Sequence, residues 1–284
     1  MSIRCIIKKV QNDGSMILVC IYMDDIVYMA SSPLVAKEFK ANMENTFEMT
    51  DLGHLRYFLG LEVLQSEAGL FVSQKKYIED MLVQHCMKGC KPAPTPMNSN
   101  EKLQAYDGSG EADALKYRSL IGKLIYLTHT RPDISYVVGM MSRFMGKPTK
   151  HHQGVAKRVL RYLVGTQEFG LWYTKTNQCK LEGYTDSGWA GFIDDRKSTS
   201  SMVFSLGSSP ISWCSKKQKI TALSSMKAEF VATSAAACQC VWLRRMLADF
   251  GMEQKEATML WCDNRQQSPS RRIRRCTAEL NTLT

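Results

Sequence analysis

The sequence has no long apolar run, no CxxC cysteine pair and no internal repeat. The first absence leaves nothing close to the ~20 consecutive apolar residues that cross a bilayer as a helix. The N-terminus also lacks the basic, apolar and small-residue order of a secretory leader. Ten cysteines lie scattered from Cys5 to Cys276 without a CxxC pair, so reduced, intracellular thiols are expected. His85, Cys86 and Cys90 have the chemistry of zinc ligands. With no second pair at ligand spacing, a helix end carrying incidental thiols is the simpler reading.

The 284 residues are 44% hydrophobic, enough for one large or two ordinary domains with real cores. Thirty-seven Lys and Arg against 27 Asp and Glu give a net charge of +10. That balance suits a polyanionic partner, nucleic acid foremost, and is also common among ordinary basic proteins.

Near the start, MILVCIYM reads as a strand, Asp24-Asp25 as a tight turn and IVYMA as a second strand. Two like charges at a hairpin tip are either a solvated turn or a cation site. SPLVAKEFKANMENTF follows as a helix, capped by Ser32, begun by Pro33 and apolar at Val35, Phe39 and Met43. LRYFLGLEV and GLFVS read as two strands, and 73–86 as a helix. KPAPTPMNSNEKLQ, from Lys91 to Gln104, reads as a linker, because three prolines in five residues block a helix. Helical patterns then run through YRSLIGKLIYL, DISYVVGMMSRFM and QGVAKRVLRYLVG. Their Arg143, Lys157, Arg158 and Arg161 either meet phosphates or form solvated faces.

GLWYT, KLEGYTD, SMVFSLG and PISWCSKKQ are four further strand candidates, the last contributing Lys216 and Lys217 as possible phosphate contacts. SSMKAEFVATSAAACQCVWLRRMLADF reads as a long helix with a stripe of small apolar residues, and ATMLWCD returns to strand. This order predicts an α/β fold, a sheet covered by helices. Asp186 ends one strand, Glu229 begins the long helix and Asp263 ends the returning strand. Converging carboxylates would need cations between them, and Mg²⁺ prefers such oxygen ligands. Three unrelated surface acids give the same sequence.

Taken together and in order, YMDD, FEMTDLGHLRYFLGLEV, YRSLIGKLIYLTHTRPDISY, HHQGVAKRVLRYLVGT, GYTDSGWAG, DRKSTSSMVFSLG, ISWCSKKQ and LSSMKAEFVA resemble a known family. They look like the polymerase end and ribonuclease H domain of a copia-type LTR retrotransposon Pol polyprotein. The resemblance implies part of a reverse transcriptase palm and thumb region, followed by a ribonuclease H-like mixed sheet with helices. It divides the chain into a palm part with the YMDD hairpin (1–90), a linker and helical connection (91–168), a ribonuclease H-like block (169–264) and a divergent basic tail (265–284). It makes Asp24 and Asp25 metal ligands of the YxDD hairpin. It makes Asp186, Glu229 and Asp263 the acids that hold two Mg²⁺ ions, with Mn²⁺ as a substitute, for hydrolysing RNA in RNA–DNA hybrids. The implied partners are hybrid or template–primer nucleic acid and the remaining polyprotein segments, with no membrane. The implied setting is intracellular, in particles of the element or in the nucleus.

The chain also departs from that family. Polymerase chemistry needs an upstream palm aspartate, and Asp13, in a QNDGS turn, is the sole carboxylate before Asp24. No autonomous DNA synthesis is therefore expected. Gly188 stands where the family places an acid, and Ser201 where it places a glycine. SSTEAEY becomes SSMKAEF, so Lys227 removes the capping-box partner of Ser224. After CDN the family reaches a histidine-rich segment, whereas this sequence has Arg265, Arg271, Arg272, Arg274 and Arg275 with Glu279 as the sole acid. The expected outcomes are a residual metal-dependent nuclease, a relic that binds nucleic acid without cutting it, or a chain with no stable fold.

Overall fold

A computed structural model describes residues 5–10, 12–176, 179–262 and 274–276. Three sheets and six α-helices are present among them. The first sheet is an antiparallel meander of β1 (Cys5–Val10), β2 (Met16–Tyr22) and β3 (Asp25–Ala30). Helix α1 (Pro33–Thr46) covers one face of it, started as expected by the Ser32 hydroxyl, which accepts from Leu34 N at 3.3 Å. Ile17, Val19 and Val35 are buried between them, and Phe39 meets the Tyr28 ring at 5.1 Å. The turn sits one residue earlier than expected. Tyr22 pairs with Asp25, so Met23 and Asp24 form the tip and Asp25 opens β3. Met23 takes a φ of 51° to close it.

The second sheet joins β4 (Tyr57–Phe58), β5 (Leu61–Ser66) and β6 (Gly69–Ser73) to a distant fourth strand, β7 (Gly170–Thr174). LRYFLGLEV is thus a hairpin and not a single strand. Leu59 and Gly60 both adopt positive φ, 51° and 75°, the pair of conformations a two-residue hairpin turn requires. GLWYT is a strand, as its composition suggests, but it pairs with β6 and not with the strands that follow it.

A helical unit lies between β6 and β7, made of α2 (Lys75–Gln84), α3 (Ala114–Leu127), α4 (Ser135–Met141) and α5 (Lys150–Val164). Helix α2 is shorter than the 73–86 reading. Ser73 completes β6, and beyond Gln84 Cys86 turns left-handed with a φ of 53°. DISYVVGMMSRFM is α4 between two single 3₁₀ turns, Pro132–Ile134 and Ser142–Phe144. The largest core of the molecule packs here, with Ile121, Leu124 and Leu127 of α3 against Val159 and Leu163 of α5.

The Pro-rich segment is irregular, as expected, but it is not a free linker. Ala93 and Leu103 are buried in the helical core, Ala93 N donates to Arg161 O at 3.1 Å, and Lys150 N donates to Gly110 O at 2.9 Å. The segment is a strap along α5, clasped by His151 against Glu101 at 2.5 Å and by Thr149 Oγ1, which donates to Asp107 Oδ2 at 2.5 Å. Burial of Asp107 favours its neutral form. Hydrogen bonds from Ser109 and Thr149 and the nearby His152 outweigh that and hold its carboxyl well below the usual range. A carboxylate depressed on folding stabilises above its unfolded value, about 3.9, and that contribution is lost as pH falls through the folded value. Asp107→Asn should therefore flatten the acid limb of a stability–pH profile below about pH 4, measured by urea unfolding. An unchanged acid limb would remove Asp107 from the account.

One ion pair, a buried guanidinium on a partly exposed carboxylate, organises the helical unit. Arg131, 1% exposed, lies against Asp133 through Nε at 2.9 Å and Nη2 at 2.7 Å. Its remaining donors reach Thr166 O at 2.8 Å and Thr166 Oγ1 at 2.7 Å, and Tyr162 donates its hydroxyl to Asp133 at 2.8 Å.

The third sheet has the order β10-β9-β8-β11-β12, built from β8 (Leu181–Gly188), β9 (Thr199–Leu206), β10 (Ser209–Lys217), β11 (Met259–Cys262) and β12 (Arg274–Cys276). Strands β8, β9 and β10 form an antiparallel meander. Helix α6 (Ser225–Asp249) then crosses over, so that β11 runs parallel to β8. Its buried stripe, Ala228, Ala232, Ala236, Cys240, Leu243 and Leu247, follows the expected small-residue spacing. Ala236, Cys240, Leu243 and Leu247 pack on Leu181, Phe204 and Leu260.

Candidate functional site

The hairpin places Asp24 in the turn and Asp25 at the first position of β3, both exposed. Among the described residues, no group of three or more His, Cys, Asp and Glu side chains is placed to hold a metal ion.

The acids of the third sheet are arranged by the pleat of β8. Leu181, Gly183 and Thr185 are buried on the side that α6 covers, while Tyr184 and Asp186 are exposed on the other side. Gly183 is required on the covered side, since a Cβ there would stand 2.5 Å from both Leu260 and the Phe204 ring. By the same alternation Ser187 points toward α6, and its hydroxyl donates to Glu229 Oε1 at 2.8 Å. The residue brought to Glu229 is therefore Ser187, and the Asp186 carboxylate leaves the opposite face. Cys262, the last residue of β11, pairs with Thr185, one residue before Asp186. Asp263 lies outside the described residues. The two described donors, Asp186 and Glu229, do not by themselves fit a divalent cation as placed.

The helix cap next to Glu229 agrees with the sequence reading. Ser224 accepts from Lys227 N at 3.2 Å, and the first turn of α6 carries no acidic residue.

Most of the cations named as phosphate contacts are engaged inside the fold. Arg143 donates to Thr199 Oγ1 at 3.1 Å and lies over the Phe192 ring at 5.3 Å, where burial pushes its pKa down. Arg158 donates to Thr95 Oγ1 at 2.9 Å, and Arg161 to Lys91 O at 2.9 Å, so the strap occupies both. Lys217 pairs with Asp195 at 2.6 Å and sits 3.6 Å from the Phe192 ring centre. Lys157 and Lys216 are exposed. Of the tail arginines, Arg274 and Arg275 fall within β12, while Arg265, Arg271 and Arg272 lie outside the described residues.

Two elements that the sequence reading did not single out frame this end of the sheet. The loop after β8 returns through Trp189, whose indole N–H donates to Ala222 O at 3.1 Å, and Phe192, which is buried and stacks on Phe144 at 5.7 Å. Gln218, 4% exposed, donates to Ser200 Oγ and Ala228 O, both at 2.9 Å, and ties β9 to the first turn of α6. The signal available for Phe192 was a large aromatic within a polar turn.

Comparison with known proteins supplies the origin. Residues 2–99 match the family described as "Reverse transcriptase (RNA-dependent DNA polymerase)". The chain is 38% identical over 89% of its length to the "Retrovirus-related Pol polyprotein from transposon RE1" of Arabidopsis thaliana, of which it covers 17%. It is 35% identical over 92% of its length to the corresponding protein from transposon TNT 1-94 of Nicotiana tabacum, covering 20% of that protein. An uncharacterized mitochondrial protein of Arabidopsis thaliana is 38% identical over 78% of the chain and is covered over 92% of its own length. No solved structure matches. Among the described residues no helix is long and apolar enough to cross a membrane. The chain spans about a sixth of the length of the first of these polyproteins, and it belongs to the Pol polyprotein family of copia-type retrotransposons, with its reverse-transcriptase match in residues 2–99.

Proposed function

We propose that this chain is a nucleic-acid-binding segment of a copia-type Pol polyprotein that takes RNA–DNA hybrid or template–primer. In this reading 1–90 is the C-terminal part of the reverse transcriptase palm and 91–168 the strap and helical connection. A ribonuclease H-like block at 169–264 and a basic tail at 265–284 follow. The observation that carries it is the Tyr22-Met23-Asp24-Asp25 hairpin, with Asp24 exposed in the turn and Asp25 exposed at the start of β3, inside the residues matched to reverse transcriptase. This reading expects no primer extension by the chain alone, and primer extension by the purified protein would overturn that expectation.

A second reading, hydrolysis of RNA in the hybrid, is favoured by the crossover of α6. It sets Cys262 beside Thr185 and Glu229 beside Ser187. That activity asks Asp186, Glu229 and Asp263 to gather around Mg²⁺ or Mn²⁺.

One labelled RNA–DNA hybrid tests both. Binding, measured by fluorescence anisotropy, should weaken steeply with salt, and Lys157→Gln with Lys216→Gln should reduce the log–log slope by about 2. Affinity that is absent, or indifferent to salt, would end the binding reading. Cleavage in Mg²⁺ or Mn²⁺ that disappears in Asp186→Asn would promote the second reading; uncut hybrid bound by folded protein would retire it.

A further inference from the structure

The first turns of α6 and the Trp189 loop build an exposed face that neither reading uses. Trp189 is 50% exposed although its indole N–H is held by Ala222 O, so its ring is fixed and open to solvent. Met226 and Phe230, 48% and 68% exposed, stand four residues apart on α6 and form one ridge, and Leu223, 83% exposed, precedes the helix cap. A monomeric protein does not normally gather apolar side chains on one exposed face without a partner for them. Lys227, exposed, lies on α6 between Met226 and Phe230, and Lys219, also exposed, stands in the segment that leads from β10 to the helix.

The surrounding acids do not cancel that charge. Glu229 is turned inward on Ser187, and Asp195 is taken by Lys217.

Fixed aromatic faces with interspersed lysines have the chemistry of a stacking platform for unpaired bases, every one of which offers a π-face. We propose that Trp189 and Phe230 stack unpaired bases of single-stranded nucleic acid, with Lys219 and Lys227 on its phosphates. This rests on the nucleic-acid reading above and assigns it a surface beside Glu229 that does not use the carboxylates. A protein partner or a second copy would need an apolar patch without the requirement for phosphate, and the test separates these.

The experiment is anisotropy of the full chain with a labelled oligothymidylate of about 16 nucleotides, the upper end of a single-strand site, in EDTA. Trp189→Ala and Phe230→Ala should each weaken binding about 5- to 150-fold, while Trp189→Phe and Phe230→Tyr stay near wild type. Lys219→Gln with Lys227→Gln should lower the salt slope by about 1.4. A bromouridine-containing strand cross-linked to the unmodified protein should map to peptides holding residue 189 or 230, which decides the matter if an alanine variant fails to fold. Unchanged affinity in folded alanine variants, cross-links elsewhere only, or self-association that Phe230→Ala abolishes without affecting the oligonucleotide would each overturn the proposal. Hybrid binding that survives alongside such results leaves the broader reading standing; no binding to any nucleic acid removes both.

Discussion

Arg131→Met is expected to destabilise the protein by about 1.5–3 kcal/mol, because it removes the charged hydrogen bonds of a buried guanidinium while Asp133, a third exposed, keeps partial access to water. Asp133 keeps its charge in the fold for a specific reason. Burial favours its neutral form, and the two guanidinium hydrogen bonds and charge of Arg131, with the Tyr162 hydroxyl, outweigh burial and hold it low. Removing Arg131 leaves the burial and takes away most of the compensation. It also deprives Thr166 O and Oγ1 of their donor, and the Tyr162 and Phe169 rings of the cation lying 5.6 Å and 5.3 Å away. The pair contributes only while Asp133 is ionised, so the wild-type advantage is present above the ordinary aspartate range and declines as pH falls through the lowered value. Urea unfolding of Arg131→Met, Asp133→Leu and the double variant gives the coupling. A double variant no less stable than either single would show that the loss comes from the stranded partner and not from a missing attraction. A loss under about 1 kcal/mol for Arg131→Met would place this pair among exposed ones.

Phe204→Ala should cost about 3–5 kcal/mol by leaving a cavity at the centre of the third sheet. The Phe204 ring is fully buried, lies against Gly183 and packs with Leu181, Leu260 and the α6 stripe. No neighbouring backbone can collapse into the space without moving β8 or α6, which is why the large end of the range applies. This core is distinct from the helical one containing Ile121 and Leu124. Combined with Arg131→Met, the effects should add within about 0.5 kcal/mol. A strong departure from additivity would mean that the two cores answer to each other, and Phe192, which leaves the third sheet to pack in the helical core, is where to look.

Local signals carried far in this chain, and long-range ones did not. The YMDD hairpin, the Ser32–Pro33 helix start, the α6 stripe and the strands 170–174, 181–188, 199–206 and 209–217 follow from periodicity and turn chemistry. What periodicity does not encode is partner choice. GLWYT reads as a strand in any environment, and nothing in its five residues says that β6 receives it. Nor does composition show that the strap from Lys91 spends Arg158 and Arg161 on its own backbone and hydroxyls. At the candidate site the difference is one residue of pleat. Asp186 and Glu229 belong to elements that do meet, but alternation along β8 hands Ser187 to Glu229 and turns Asp186 outward. Met23 in the hairpin and Leu59 before β5 were equally hidden, since each takes a left-handed conformation that its residue type disfavours.

The pairing of β6 with β7 also sets an order of events. Ser73 and Gly170 are partners in register, and the whole helical unit lies between them in sequence. Closing so long a loop is entropically unfavourable until the intervening chain is compact, so the second sheet can be finished only after the four helices have collapsed. During synthesis β6 must wait as an open edge while everything from α2 to α5 is made. Its bare N–H and C=O groups are, for that interval, the place where another nascent copy can add itself.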